Sequence, residues 1–455
     1  MKHETLAISE PESDCINTLA ALLLAHFSTT EITGHRGRSA WQPDYFKEAI
    51  FELKNIAAPL ISERKNPVTF ESDEITLSDS NKQFACAKEG CTTLDELTAL
   101  LLKNPRLSDL TTDSSLRRRI LSWCVSVLFH EDQIDLLPFL TSLITTEVAD
   151  HVVWIQISGL DTQTSFKIGK VQIRGLSSTD MEWLMNESSD SAETGEGEDD
   201  RRAFFSSKWQ GKTIVEYKGF GDTERVMEAA VEQAEITCAL LRVLEPGNLS
   251  LIGRSYLQPL VLESQLAEKR FLINPGTKET RWSDSVASFP PNTLRITNDS
   301  FSAQWSEGNL HLLDKLLSTE KLSPFQSALL RSLLIYSRSR LTEDPIEKLI
   351  ISFTALESFL LAGDRKIRGI RRTLKRRLGR ALFRAPKDQL HVEQVVHQAY
   401  DLRSGFLHHA LPLPETRVAR SFVEHCWLFW IGLLKHQDTW HTSEEYISLL
   451  DKAER

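Results

Sequence analysis

The sequence predicts a multidomain α+β protein with a helical N-terminal region, a mixed α+β middle domain and a C-terminal all-α helical bundle. Three observations carry that prediction. Apolar residues recur at helical spacing through residues 1–150 and again after Gly308. Between these regions, from Val152 on, the pattern changes to short β-branched and aromatic runs. The chain has 455 residues, 41% of them apolar, and ten tryptophans, enough for two or three hydrophobic cores.

Over residues 1–150 the periodicity predicts helices at 15–27, 44–61, 93–103, 115–129 and 133–146. The polar stretch 62–92 reads as loop with room for one short strand. The middle domain, 151–305, opens on two strand-like runs, Val152 to Ile157 and the alternating Phe166 to Ile173. The segment 186–200 holds seven acids and almost no apolar residue, so a solvated loop is expected. Thr213 to Tyr217 reads as a strand, Gly219 to Asp222 as an ordinary turn and Glu224 to Leu244 as a helix. Strand-like pieces between Leu249 and Trp305 complete this domain.

From Gly308 the pattern is helical at 309–317, 323–340, 343–362, 366–384, 390–407 and 416–436. These helices define a bundle over 308–440, followed by a tail at 441–455.

Composition narrows the function classes. The net charge is −10, so nucleic-acid binding has to come from a local patch. The six cysteines are scattered; Cys86 and Cys91 are close, but no second pair or nearby histidine completes a zinc set. Reduced thiols in a cytoplasmic protein are expected. The middle domain, 151–305, carries no Walker loop, no dinucleotide glycine fingerprint and no metal-binding histidine pair, and no cofactor or metal is expected. The apolar runs 19–27 and 422–434 are too short to span a bilayer, and no membrane role is expected.

The bundle concentrates the candidate chemistry. In 343–362 the residues Ile346, Leu349, Ile350, Phe353, Leu356, Leu360 and Leu361 share one face, and Glu357 falls in its middle. In 390–407 the arc of Val392, Val395, Val396, Ala399, Leu402, Phe406 and Leu407 places Arg403 at its centre. A carboxylate and a guanidinium set among core residues predict a Glu357–Arg403 pair between the two helices. The plainer reading is a bridge that only fixes helix register. The segment Arg365 to Arg384 holds ten Lys or Arg and no acid, which suits an anionic backbone better than a merely solvated face. Its candidate RNA-binding residues are Arg368, Arg371, Arg372, Lys375, Arg376, Arg377 and Arg380. His408 lies about 140° around an ideal helix from Arg403, so either the helix frays or the histidine faces a partner subunit. Read by itself, the pair His408 and His409 is a polar helix end.

Tyr400-Asp-Leu-Arg-Ser-Gly-Phe-Leu-His408 resembles the motif of HEPN-domain proteins, in which Arg is followed by four to six residues and then His. Its Arg-Ser opening resembles the Apea-like branch, as does the Ala-Leu-Glu stretch ending at Glu357. The resemblance covers about 308–440. It implies a metal-independent endoribonuclease acting as a homodimer, of a kind that serves in antiviral defence, abortive infection or as a toxin. It implies that Arg403 binds the scissile phosphate, His408 moves protons and Glu357 orients Arg403. The chain departs from the branch at His409, where glycine is common, and His409 competes with His408 for the proton-carrying role. RNA, with transfer RNA among the candidates, is the implied substrate, and residues 1–305 would recognise a target or a phage or cellular trigger. The alternative is a non-catalytic RNA- or nucleotide-binding module that acts as sensor or scaffold.

Overall fold

A computed structural model of the chain describes residues 10–30, 68–71, 74–78, 83–86, 88–130, 134–187, 209, 211–245, 255, 257–259, 270–273, 280–283, 294–362, 369–409 and 416–452. The chain divides into two compact units. One comprises Met1–Asp150 with Phe220–Val226, and the other His151–Gly219 with Met227–Arg455. The expected middle domain and bundle thus fall in the same unit.

The first unit contains α1 (Glu10–Ala25), β1 (Phe27–Thr30), β2 (Val68–Glu71), β3 (Glu74–Ser78) and β4 (Gln83–Cys86). It continues with α2 (Lys88–Leu102), α3 (Pro105–Leu110), α4 (Asp113–His130) and α5 (Leu136–Glu147). Leu23, Leu97, Leu101, Leu116, Ile120 and Leu140 bring α1, α2, α4 and α5 onto one apolar core. The stretch expected to be loop with a single strand holds three strands, which join β1 in an antiparallel sheet of order β1-β4-β3-β2. Each is four or five residues long, too short for its own alternation to stand out, and only pairing across the sheet gives it stability. The helix expected at 44–61 lies outside the described residues.

The second unit opens with β5 (Ala149–Ser158), β6 (Leu160–Thr162), β7 (Phe166–Ile168), β8 (Val171–Gly175) and α6 (Ser178–Glu187). Phe166 to Ile173, expected as one strand, is a hairpin of β7 on β8. It turns at Gly169, whose φ of +60° is left-handed and whose missing Cβ leaves room for the Leu317 side chain. Residues 188–200 of the acidic segment lie outside the described residues. Then come β9 (Thr213–Gly221), α7 (Thr223–Leu244), β10 (Gln258–Pro259), β11 (Arg270–Ile273), β12 (Thr280–Ser283) and β13 (Leu294–Ile296). The main sheet has the order β12-β11-β5-β9-β8-β7, with β10 on β5; β13 pairs β6 in parallel. The residues expected as a turn at 219–222 instead finish strand β9 and lead to a buried Asp222. The end of the region expected to be strand-like is a helix, α8 (Asn298–Ser306). Thr297 and Ser300 form a reciprocal capping box at its start.

The bundle comprises α9 (Leu310–Ser318), α10 (Pro324–Arg338), α11 (Pro345–Leu360), α12 (Ile370–Leu382), α13 (Pro386–His409), α14 (Thr416–Lys435) and α15 (Ser443–Lys452). Proline at the first turn and a capping Ser323 or Asp344 set the starts of α10 and α11. Phe325, Tyr336, Phe353, Phe359, Phe422 and Trp430 fill the core, with Phe353 stacked on Phe422 at 4.2 Å. The expected tail is corrected here: α15 buries Tyr446, Ile447 and Leu450 and is part of the bundle. No described helix is long and apolar enough to cross a membrane.

Candidate active site

Glu357 and Arg403 meet where α11 packs against α13. On α11, Phe353 and Glu357 are four residues apart and so lie on one face. On α13, Tyr400 and Arg403 are three apart and do the same. Arg403 Nη1 donates to Glu357 Oε1 at 2.8 Å. The guanidinium carbon lies 5.5 Å from the Phe353 ring and 5.5 Å from the Tyr400 ring. Those rings are themselves edge to face at 5.5 Å. Two aromatic faces and one carboxylate therefore fix the guanidinium. The pair is only part-buried, with 18% of the Arg403 side chain and 25% of the Glu357 side chain exposed. Arg403 Nε is buried with no partner among the described residues.

α13 stays helical through His409, so the chain does not fray before His408. His408 is exposed, on a different face from the half-buried Arg403. Five residues apart on a continuous helix, the two side chains leave α13 about 140° apart. The structure describes the backbone of His409 and nothing of its ring. The last turn of α13 departs from expectation: Phe406 and Leu407, placed in the buried arc by periodicity, are 37% and 50% exposed.

The basic helix α12 is corrected most. Arg377 is buried: its Nη1 donates to the Leu360 carbonyl at 2.6 Å, and its Nη2 and Nε donate to Asp451 at 2.6 and 3.1 Å. These bonds hold the Asp451 carboxyl below the usual carboxylate range. Arg376 also reaches Asp451, Arg380 donates to the Leu450 carbonyl, Lys375 pairs with Glu393 and Arg371 with Asp401. The carboxylates opposite α12 come from α13 and α15, so a run without an acid in sequence is a mixed surface in space. Arg377 is structural, and Arg371 and Arg372 are the exposed cations of the predicted set. Arg368 lies outside the described residues.

Sequence reasoning missed Tyr400 and Arg371 as neighbours of Arg403. The signal for Tyr400 was its three-residue spacing; Arg371 needed the packing of α12 against α13. It also missed Lys348 on α11, 1% exposed, whose ammonium is pushed down to about 8 by burial and then by the nearby charge of Arg340. Among the described residues no group of three or more His, Cys, Asp or Glu is arranged to hold a metal ion. No protein-family model, curated protein or solved structure matches the chain.

Proposed function

We propose that the chain is a metal-independent endoribonuclease of the HEPN type, acting as a homodimer. The observation that carries this reading is the Glu357–Arg403 pair, a guanidinium held by one carboxylate and two rings five residues before an exposed histidine. Such a guanidinium suits the negative charge that builds on a phosphate under attack. A histidine is the side chain suited to carrying protons at cellular pH. In the reaction the 2′-oxygen attacks phosphorus and the bond to the 5′-oxygen breaks. A base takes the 2′-hydroxyl proton and an acid delivers one to the leaving oxygen. The products are a 2′,3′-cyclic phosphate and a 5′-hydroxyl. The divergence of Arg403 and His408 around α13 supports a site made from two chains, in which two histidines serve as base and acid. Exposed Phe406 and Leu407 beside His408 supply apolar surface for that contact. DNA lacks the attacking hydroxyl and is not a substrate.

The test is cleavage of RNA, transfer RNA first, by purified protein in EDTA. Cutting is expected to end in His408→Ala and Arg403→Ala proteins that remain folded. Cutting that survives both His408→Ala and His409→Ala overturns the mechanism. In cells, induced expression is expected to stop growth only while Arg403 is intact, as a toxin or abortive-infection role requires.

The same divergence favours a second reading. If the chain works alone, Arg403 and His408 serve no common phosphate, and the bundle is a non-catalytic RNA- or nucleotide-binding sensor or scaffold. Binding lost on neutralising Arg371 and Arg372, with no cleavage of any RNA, supports that reading.

A further inference from the structure

Two arginines from different helices approach the Tyr400 ring. Arg403 of α13 lies 5.5 Å from the ring centroid and Arg371, in the first turn of α12, lies 6.0 Å from it. The ring is half-buried and set edge to face on Phe353, so it fixes where both guanidiniums sit. Two like charges gathered on one ring repel unless anions neutralise them. In the free chain Glu357 does this for Arg403 and Asp401 does it for Arg371.

The two neutralising carboxylates differ in kind. The Arg371–Asp401 pair lies in the open, with 43% and 55% of the side chains exposed. Exposed pairs of this sort contribute about 0–1 kcal/mol, so Arg371 is readily released. Asp401 has a second partner in waiting: His397 Nε2, one turn away, is 3.8 Å from its carboxylate. Arg377, nearly two turns along the same helix, has no such freedom, being buried against Asp451 and the Leu360 carbonyl.

We propose, resting on the endoribonuclease reading, that Arg371 is a second phosphate-binding residue of the same site. It leaves Asp401 to hold the phosphate neighbouring the one on Arg403. The site therefore grips two consecutive phosphates of a single RNA strand, with Tyr400 as the spacer between the two guanidiniums.

The experiment compares two RNA substrates, a dinucleoside monophosphate with one phosphate and a single-stranded hexanucleotide. Each is given to the wild type, Arg371→Gln and Asp401→Asn. Arg371→Gln is expected to lower kcat/KM on the hexanucleotide by about tenfold, mainly through KM, and to leave the dinucleotide unchanged. Its hexanucleotide binding is expected to lose about 0.7 from the slope of log K against log salt, the share of one single-strand phosphate contact. Asp401→Asn is expected to tighten hexanucleotide binding by about threefold, because Arg371 no longer has a competing anion. Equal losses on both substrates mark a structural role and overturn the proposal, as does no loss on either. If the wild type cuts the hexanucleotide alone, the salt slope decides, and a slope unchanged by Arg371→Gln overturns it. A wild type that cuts neither RNA under any salt condition instead removes the endoribonuclease reading, and this proposal with it.

Discussion

Arg119 and Arg403 are both arginines set among apolar residues and paired with a carboxylate, one in each compact unit, yet they are built to different ends. Arg119 is 5% exposed and every guanidinium nitrogen is engaged: Nε and Nη2 with Glu147, Nη1 with Thr111, and Nη2 also with Asp222. Asp222 is equally saturated, accepting from Thr111, Ser115, Arg119 and the Arg225 amide. Among the described residues Arg403 makes one hydrogen bond, from Nη1 to Glu357, and its buried Nε meets no partner. Saturation is what a structural ion cluster requires, since each unmet group in a dry interior is costly. An anion site requires a fixed guanidinium that is still partly open to solvent, as the 18% exposed Arg403 is. The same two residue types therefore mark a clamp in one region and a candidate site in the other.

The sharpest way to break the comparison is at the saturated end. Asp222→Ala leaves Arg119 buried without one of its two carboxylates and orphans Thr111 and Ser115. A loss of about 3–5 kcal/mol is expected, read by urea unfolding of the full chain. Hydrogen exchange in α4 is expected to accelerate with it. A loss under about 1 kcal/mol sinks the claim that this cluster is structural.

Arg377→Ala comes next, at about 2–3 kcal/mol, because it strips Asp451 and the Leu360 carbonyl of a buried donor. Arg372→Ala, on the exposed side of the same helix, is expected to stay within about 0.5 kcal/mol. The Arg377 effect has a pH signature. Folding lowers the Asp451 value, so the bridge contributes fully above pH about 4 and fades as acid titrates the folded carboxylate. The difference between wild type and Arg377→Ala is therefore expected to shrink below that pH.

Lys348 reverses the sign. Its folded value is about 8 against an unfolded value of 10.5, so the folded state disfavours the charge. Lys348→Met is expected to stabilise the chain by about 2 kcal/mol at pH 7. That gain is expected to decline as pH rises from 8 through 10.5, where the unfolded lysine also loses its proton. A gain that is flat across this window contradicts a burial origin.

These contrasts explain what the sequence could and could not reveal. The bundle helices were legible because periodicity reports burial directly: each of the six expected segments contains an observed helix or overlaps one. Glu357 and Arg403 were legible for the same reason, as charges out of place in apolar arcs. The charge of α12 misled because its partners Asp401, Glu393 and Asp451 lie on other helices, 18 to 75 residues away in the chain. The short strands of the first unit were hidden because a four-residue alternation is no signal without its neighbour. Asp222 sits beside a Gly-Phe-Gly run that imitates a turn, and its burial depends on Thr111, Ser115 and Arg119, over a hundred residues earlier.

A small effect on stability is expected at the candidate site, and there it sharpens the comparison. Glu357→Gln keeps the volume and one acceptor oxygen while removing the charge. With 18% and 25% of the two side chains exposed, solvent screens the loss, and under about 1 kcal/mol is expected. On the endoribonuclease reading, cleavage is nevertheless expected to fall about tenfold or more, because a guanidinium free to turn on the Phe353 and Tyr400 rings no longer meets the phosphate in one orientation. Added to Arg403→Ala, Glu357→Gln is expected to cost no further activity, since there is nothing left to orient. Full additivity of the two on cleavage would mean that Glu357 acts on the substrate by itself, which separates a positioning carboxylate from a catalytic one.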